Sequence, residues 1–177
     1  MYKHILLALA LVATAVSGSK QHHELEHPKL QQQAWNVAGT KALVKEFEGL
    51  YLTAYVCPAG VLTIGWGHTG SDVRAGMTIT QAQAETFLTN DLNKFATCVN
   101  NNLKVRLNPN QVGALVSFSF NLGCGSLQSS TLLRRLNAGE DPNTVAAQEF
   151  PRWVFANGVK LPGLVRRRNA EVAFFRS

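Results

Sequence analysis

The spacing of apolar positions changes several times along the chain, and each change marks an element. Leu43, Val44, Phe47 and Leu50 recur at helical spacing and Gly49 supplies a stop. That pattern predicts a first helix starting near Asn36 or Thr40, with Glu48 in its last turn. Leu52-Thr53-Ala54-Tyr55 and the segment from Val61 to Trp66 mix aromatic and β-branched residues with small or polar ones. They predict two short strands turning through Pro58-Ala59-Gly60. Met77-Thr78-Ile79 adds a short edge, and no further strand is expected. Thr80 with Gln83 forms a capping box. It opens a long helix whose Ala84, Phe87, Leu88, Leu92, Phe95 and Val99 make one core-facing stripe. Asn108-Pro109 joins a cap to a first-turn proline and starts a helix that is apolar on most sides, the mark of a buried helix, ended by Gly123. Ser130 caps a helix over 131–137 stopped by Gly139; Asp141-Pro142 caps another through Phe150; Pro162 opens the last, to Phe175.

The N-terminus carries a different pattern. After Lys3, the twelve residues Ile5 to Val16 are apolar except Thr14. That is short of the about 20 residues a membrane span needs and suits the core of a signal peptide. Small residues follow, and cleavage after Ala15 or Gly18 is expected, with Gly18 preferred, so that residues 1–18 form the signal and the protein is secreted. An uncleaved, membrane-anchored precursor is the alternative. Residues 19–36 are polar without a lasting period and are expected to be a linker. Within it His22, His23 and His27 lack a second spaced ligand set, so no metal is expected.

The length, 177 residues, allows one domain, or two small lobes sharing a helix, and 46% hydrophobic residues suffice for a core. The formal charge of +6 suits an anionic partner: nucleic acid, a membrane surface or a bacterial wall. No basic run of five or six residues and no nucleic-acid motif occurs, so nucleic acid is set aside.

The candidate chemistry sits between the first helix and the hairpin. Glu48 is followed by Cys57 and Thr63, a carboxyl at a helix end facing a thiol and a hydroxyl on a hairpin. Thr63 opens the string Thr63-Ile64-Gly65-Trp66-Gly67-His68. These types and spacings resemble the catalytic segment of the phage-type lysozymes, glycoside hydrolase family 24, in which a Glu, an Asp or Cys, and a Thr stand at the same intervals. A weaker resemblance covers roughly residues 37–177, the expected lysozyme domain.

The resemblance implies an α+β lysozyme-like fold, mostly helical, with a small antiparallel sheet lobe and a long connecting helix. It implies hydrolysis of the β-1,4 bond between N-acetylmuramic acid and N-acetylglucosamine in bacterial peptidoglycan, without a cofactor, by a monomer. Glu48, Cys57 and Thr63 would be catalytic, and Phe120 and Asn121 would reach the substrate from the helical lobe. One of Arg166, Arg167 and Arg168 would approach Glu48; three consecutive helical residues cannot all point inward. If Cys57 stays available in the cleft, Cys98 and Cys124 are the disulfide partners.

The residues themselves support a carboxyl-dependent hydrolase, and the resemblance makes the bond a glycosidic one. A carboxylic acid in a partly apolar setting can protonate a leaving oxygen, and Glu48 lies beside Phe47 and Leu50. The second group is ordinarily a carboxylate acting as base or nucleophile. A thiol at that position, with an ordinary pKa of about 8.5, leaves inverting or retaining chemistry open. Thr63 can position a water. His68 is expected to fix the sheet lobe through a buried hydrogen bond or ion pair, with Asp72 a candidate partner. The rivals are a wall-binding protein on the same fold with catalysis lost, and a thiol hydrolase pairing Cys57 with His68.

Overall fold

The computed structural model describes residues 32–57 and 60–177. The expected signal segment, residues 19–31 with their three histidines, and the turn residues Pro58 and Ala59 lie outside the described residues.

Asn36 starts the first helix, α1 (Val37–Glu48): its side chain accepts from the backbone N–H of Gly39. Just before it, residues expected to belong to a linker are fastened to the domain. Gln33 is buried; its backbone N–H donates to Asn100 Oδ1, its Nε2 to Val105 O, and its Oε1 accepts from Leu107 N. A glutamine that satisfies two backbone groups of another loop is part of the fold, and composition alone does not reveal it.

The chain then folds into a hairpin, β1 (Tyr51–Val56) and β2 (Leu62–Gly65), antiparallel with a bulge between Tyr51 and Tyr55. The 77–79 segment does border β1: Ala54 N donates to Met77 O, Ile79 N to Leu52 O, and Thr53 bridges Thr78. Leu50 lies beyond the end of α1 and is exposed, so it does not extend that helix's apolar face.

Thr80 and Gln83 cap each other's backbone at the start of α2 (Gln81–Asn102), which leads from the sheet to the helical lobe. Asn108 and Gln111 form a second capping box at α3 (Pro109–Leu122). Every residue of α3 from Gln111 to Ser119 is buried, and α1, α2, α4 (Cys124–Gln128) and α7 (Pro162–Phe175) pack around it. Gly113 permits the closest of these approaches: a methyl group there would collide with Thr40 Oγ1 and stand 3.0 Å from the Phe174 ring.

Helices α5 (Thr131–Asn137) and α6 (Pro142–Glu149) and a short 3₁₀ turn (Phe150–Arg152) complete the lobe. A second hairpin, β3 (Phe155–Ala156) with β4 (Val159–Lys160), was not expected from the apolar pattern. Its signal is local: Asn157-Gly158, both at positive φ, is the favoured two-residue turn between strands. Among the described residues the architecture is thus seven α-helices, of which α1, α2, α4 and α7 pack around α3, with two two-stranded antiparallel sheets. No helix among them is long and apolar enough to cross a membrane.

Candidate active site

Glu48 is the last residue of α1, and Gly49 at φ 69° turns the chain out of the helix toward β1. The carboxylate has a fixed neighbour on each side. Arg167 Nη1 donates to Glu48 Oε1 at 2.6 Å, an ion pair between a buried guanidinium and a half-buried carboxylate. On the other side lies Gly67. A methyl group at Gly67 would stand 3.2 Å from Glu48 Oε2 and 3.7 Å from the Phe120 ring, and the backbone φ is 82°. The backbone therefore favours glycine at this position, and any larger residue would press on the Glu48 carboxylate. The Thr-Ile-Gly-x-Gly-His string backs onto the acid through its second glycine, and Phe120, in the last turn of α3, closes the same wall.

The hairpin supplies the other two groups. Thr63 is buried in β2 opposite Tyr55. Its hydroxyl donates to Val61 O at 3.0 Å, leaving the oxygen's lone pairs to accept from a water or sugar hydroxyl. Cys57 follows β1 and is half-buried; its backbone N–H donates to Val61 O and its carbonyl accepts from Gly60 N. Tyr55 marks how close these groups stand. Burial pushes its hydroxyl up, and Tyr51, Cys57 and Glu48 each add repulsion against its ionised form. The acid, the thiol and this phenol thus share one electrostatic neighbourhood.

His68 makes its side-chain contacts with other groups. Its Nδ1 lies 2.6 Å from Asp91 Oδ2, its Nε2 lies 3.2 Å from Asp72 Oδ2, and its ring stacks on Phe87. Its backbone also bridges Ile64 in both directions. Both ring nitrogens are engaged by carboxylates, which disfavours a Cys57–His68 nucleophilic pair. Asp91 sits on the apolar stripe of α2 and is buried there with His68 Nδ1 and Lys94 Nζ as its hydrogen-bond partners. It was not singled out from sequence, where a carboxylate on that stripe has no visible partner.

The arginine run separates into three fates. Arg166 is exposed, whereas Arg167 and Arg168 are buried. Arg167 is the one that reaches Glu48. Arg168 Nη2 donates to Asn121 Oδ1 at 2.6 Å, so the amide group's N–H donors are what Asn121 can offer a ligand. Behind both lies Glu171, fully buried, whose Oε1 accepts from Ser117 Oγ at 2.8 Å and Arg167 Nε at 3.4 Å. Its Oε2 pairs with Arg168 Nε at 3.1 Å. Burial pushes the Glu171 carboxyl up against the pull of the two arginines, and pushes the Arg168 guanidinium down. Sequence reasoning missed Glu171. The only trace is its spacing of three and four from two arginines, which on a helix ordinarily reads as a solvated pair.

Cys98 of α2 and Cys124, the first residue of α4, form a disulfide with Cα atoms 6.2 Å apart. Among the described residues, no group of three or more His, Cys, Asp or Glu is placed to hold a metal ion.

A profile of the phage lysozyme family matches residues 45–171. The chain is 48% identical over 137 residues to the endolysin of Bacillus phage PZA, a match covering 76% of this chain and 52% of that protein. It therefore spans about half the length of that relative. It is 45% identical over 139 residues to the endolysin of Acyrthosiphon pisum secondary endosymbiont phage 1, covering 76% of this chain and 93% of the relative. Among solved structures it is similar to the muramidase domain of SpmX from Asticaccaulis excentricus. There the identity is 38%, the TM-score 0.74, and the match covers 83% of this chain and 99% of the other. With most of the chain matched in sequence and in fold, the chain belongs to the phage lysozyme family.

Proposed function

We propose that this protein is a lysozyme of glycoside hydrolase family 24. It hydrolyses the β-1,4 bond between N-acetylmuramic acid and N-acetylglucosamine and so lyses bacterial walls. It acts outside the cytoplasm, exported through its N-terminal segment, as a monomer. The observation that carries the proposal is the setting of Glu48. A carboxyl at a helix end is clamped between Arg167 and Gly67, with a thiol and a threonine hydroxyl presented by the adjoining hairpin.

The chemistry follows from that setting. Glu48 protonates the glycosidic oxygen as the bond breaks. The Arg167 guanidinium then stabilises the carboxylate left behind. Thr63, buried and with its own proton spent on Val61 O, accepts a hydrogen bond from a water and holds it. Cys57 acts beside it as base or nucleophile. Phe120 forms apolar wall next to the acid, and Asn121, braced by Arg168, donates N–H groups to the sugar. The net positive charge draws the enzyme to anionic wall polymers.

The test is to digest purified peptidoglycan and count new reducing ends against new free amines. The expected product is reducing ends. Glu48→Gln keeps the shape and the bond from Arg167 but removes the acidic proton, so the rate falls by about 10²–10⁴ with an unchanged circular dichroism spectrum. Glu48→Gln activity within a factor of two of the parent, or release of amines by the parent, refutes the proposal.

A further inference from the structure

We infer that Glu171 is the positioning residue of the site: it holds Arg167 against Glu48 and Arg168 against Asn121, so one buried carboxylate sets both the catalytic acid and the substrate-facing amide. The inference rests on the proposed glycosidase chemistry and goes one layer behind it.

The geometry is a branched chain of contacts with Glu171 at the fork. One branch runs from Glu171 Oε1 to Arg167 Nε at 3.4 Å and from Arg167 Nη1 to Glu48 Oε1 at 2.6 Å. The other runs from Glu171 Oε2 to Arg168 Nε at 3.1 Å and from Arg168 Nη2 to Asn121 Oδ1 at 2.6 Å. Ser117 Oγ, donated from α3 at 2.8 Å, anchors the fork to the helix at the centre of the lobe. Arg167, Arg168 and Glu171 are all at most 3% exposed. The aromatic faces of Phe47 and Phe118 border the two guanidiniums. Side chains so enclosed cannot be oriented by water, and a buried pair gives geometry more reliably than it gives stability.

The charges explain why a carboxylate is needed at the fork. Two guanidiniums face two carboxylates, Glu48 and Glu171. From β1, Tyr55 lies within the electrostatic reach of Glu48 and of Cys57 in the turn after it. From α3 the groups that reach it, Ser117, Phe118 and Asn121, are uncharged. In α6 and the turn after it, Glu149 pairs with Arg135 and Arg152. Without Glu171, the positive charge of Arg167 and Arg168 is balanced by Glu48 alone. The ionised form of Glu48 is then favoured, and a general acid that ionises too readily fails at lower pH.

The test is the Glu171→Gln variant of the full chain, assayed for kcat and KM on soluble peptidoglycan fragments across pH. Gln keeps the shape and an acceptor for Ser117 and Arg167 but removes the charge. The expected result is that the alkaline limb of the kcat profile moves to lower pH by roughly one unit. Glu171→Asp, which keeps the charge, returns the limb toward the parent. A merely structural role lowers Tm but leaves the limb of the folded enzyme in place, and that outcome overturns the inference. Should Glu171→Gln not fold, Arg168→Lys reads the other branch. It keeps the charge and loses the donation to Asn121, so KM rises several-fold with the limb unmoved. An unchanged KM overturns the inference. Glu48→Gln on the same substrate separates the two layers: an active Glu48→Gln removes the proposed chemistry, whereas an inactive one with an unshifted Glu171→Gln limb removes only the role of Glu171.

Discussion

The disulfide is the feature whose contribution follows most directly from the chain. Cys98 and Cys124 are 26 positions apart and tie the second half of α2 to the start of α4. Closing a loop of that length removes about 12 cal/mol/K from the unfolded chain, or about 3.5 kcal/mol at room temperature. Both cysteines are half-buried, so serine hydroxyls at these positions reach water and add little cost of their own. For a chain of this size, each kcal/mol is worth about 2–4 °C in Tm, so Cys98→Ser/Cys124→Ser is expected to melt about 7–14 °C lower. Calorimetry of the oxidised parent, the reduced parent and the double variant checks this, and the last two should coincide. The tie also lies three residues after Asn121, at the end of α3, so KM is expected to rise more than kcat falls. A drop of less than about 2 °C refutes the loop argument. A peptide map joining Cys57 to either partner refutes the pairing itself.

Three further outcomes are expected. Cys57→Asp, which restores the more usual carboxylate, retains substantial lytic activity, whereas Cys57→Ser retains little; a serine variant as active as the parent shows that ionisation at this position is not needed, and wall turbidity measures both. Gly67→Ala presses on Glu48 Oε2 and places a Cβ at φ 82°, so kcat falls at least tenfold while stability drops by only about 1–2 kcal/mol; equal loss in unrelated glycine variants would sink the explanation. The His68 hydrogen bond holds the Asp72 carboxyl below its ordinary value of 3.8. A lowered folded value stabilises fully above the unfolded value and is lost as pH falls through the folded one. Asp72→Asn should therefore flatten the acid end of the stability curve below about pH 4, by a small amount because Asp72 is largely exposed. Urea melts across pH read this directly, and an unchanged acid slope contradicts it.

Much of this molecule is legible in its sequence because the deciding interactions are local. The capping pairs Thr80–Gln83 and Asn108–Gln111, the prolines at helix starts and the stops at Gly49 and Gly123 each act within about one turn. They place α1, α2, α3 and α7 close to where the structure has them. The alternation around the hairpin does the same for β1 and β2. The placement of Glu48 at a helix end, Cys57 after the first strand and Thr63 on the second was legible for a similar reason: all three lie within sixteen residues of chain. The β3–β4 hairpin was missed although Asn157-Gly158 announces it, because strands two residues long carry no readable period.

What the sequence could not decide is what depends on contacts across the fold. Arg166, Arg167 and Arg168 are equivalent as letters; only the face on which α7 packs against α1 and α3 turns Arg166 to solvent, Arg167 to Glu48 and Arg168 to Asn121. Gln33 reads as linker until the loop at 105–107 offers its backbone groups. Asp91 has no visible partner in the sequence, and Glu171 reads as a solvated charge, until His68 and the two arginines are brought against them. Local backbone preference acts over a few residues and is written in order along the chain. The neutralisation of a buried charge acts over a few ångströms in space, between residues as much as 119 positions apart, and exists only once the helices have packed.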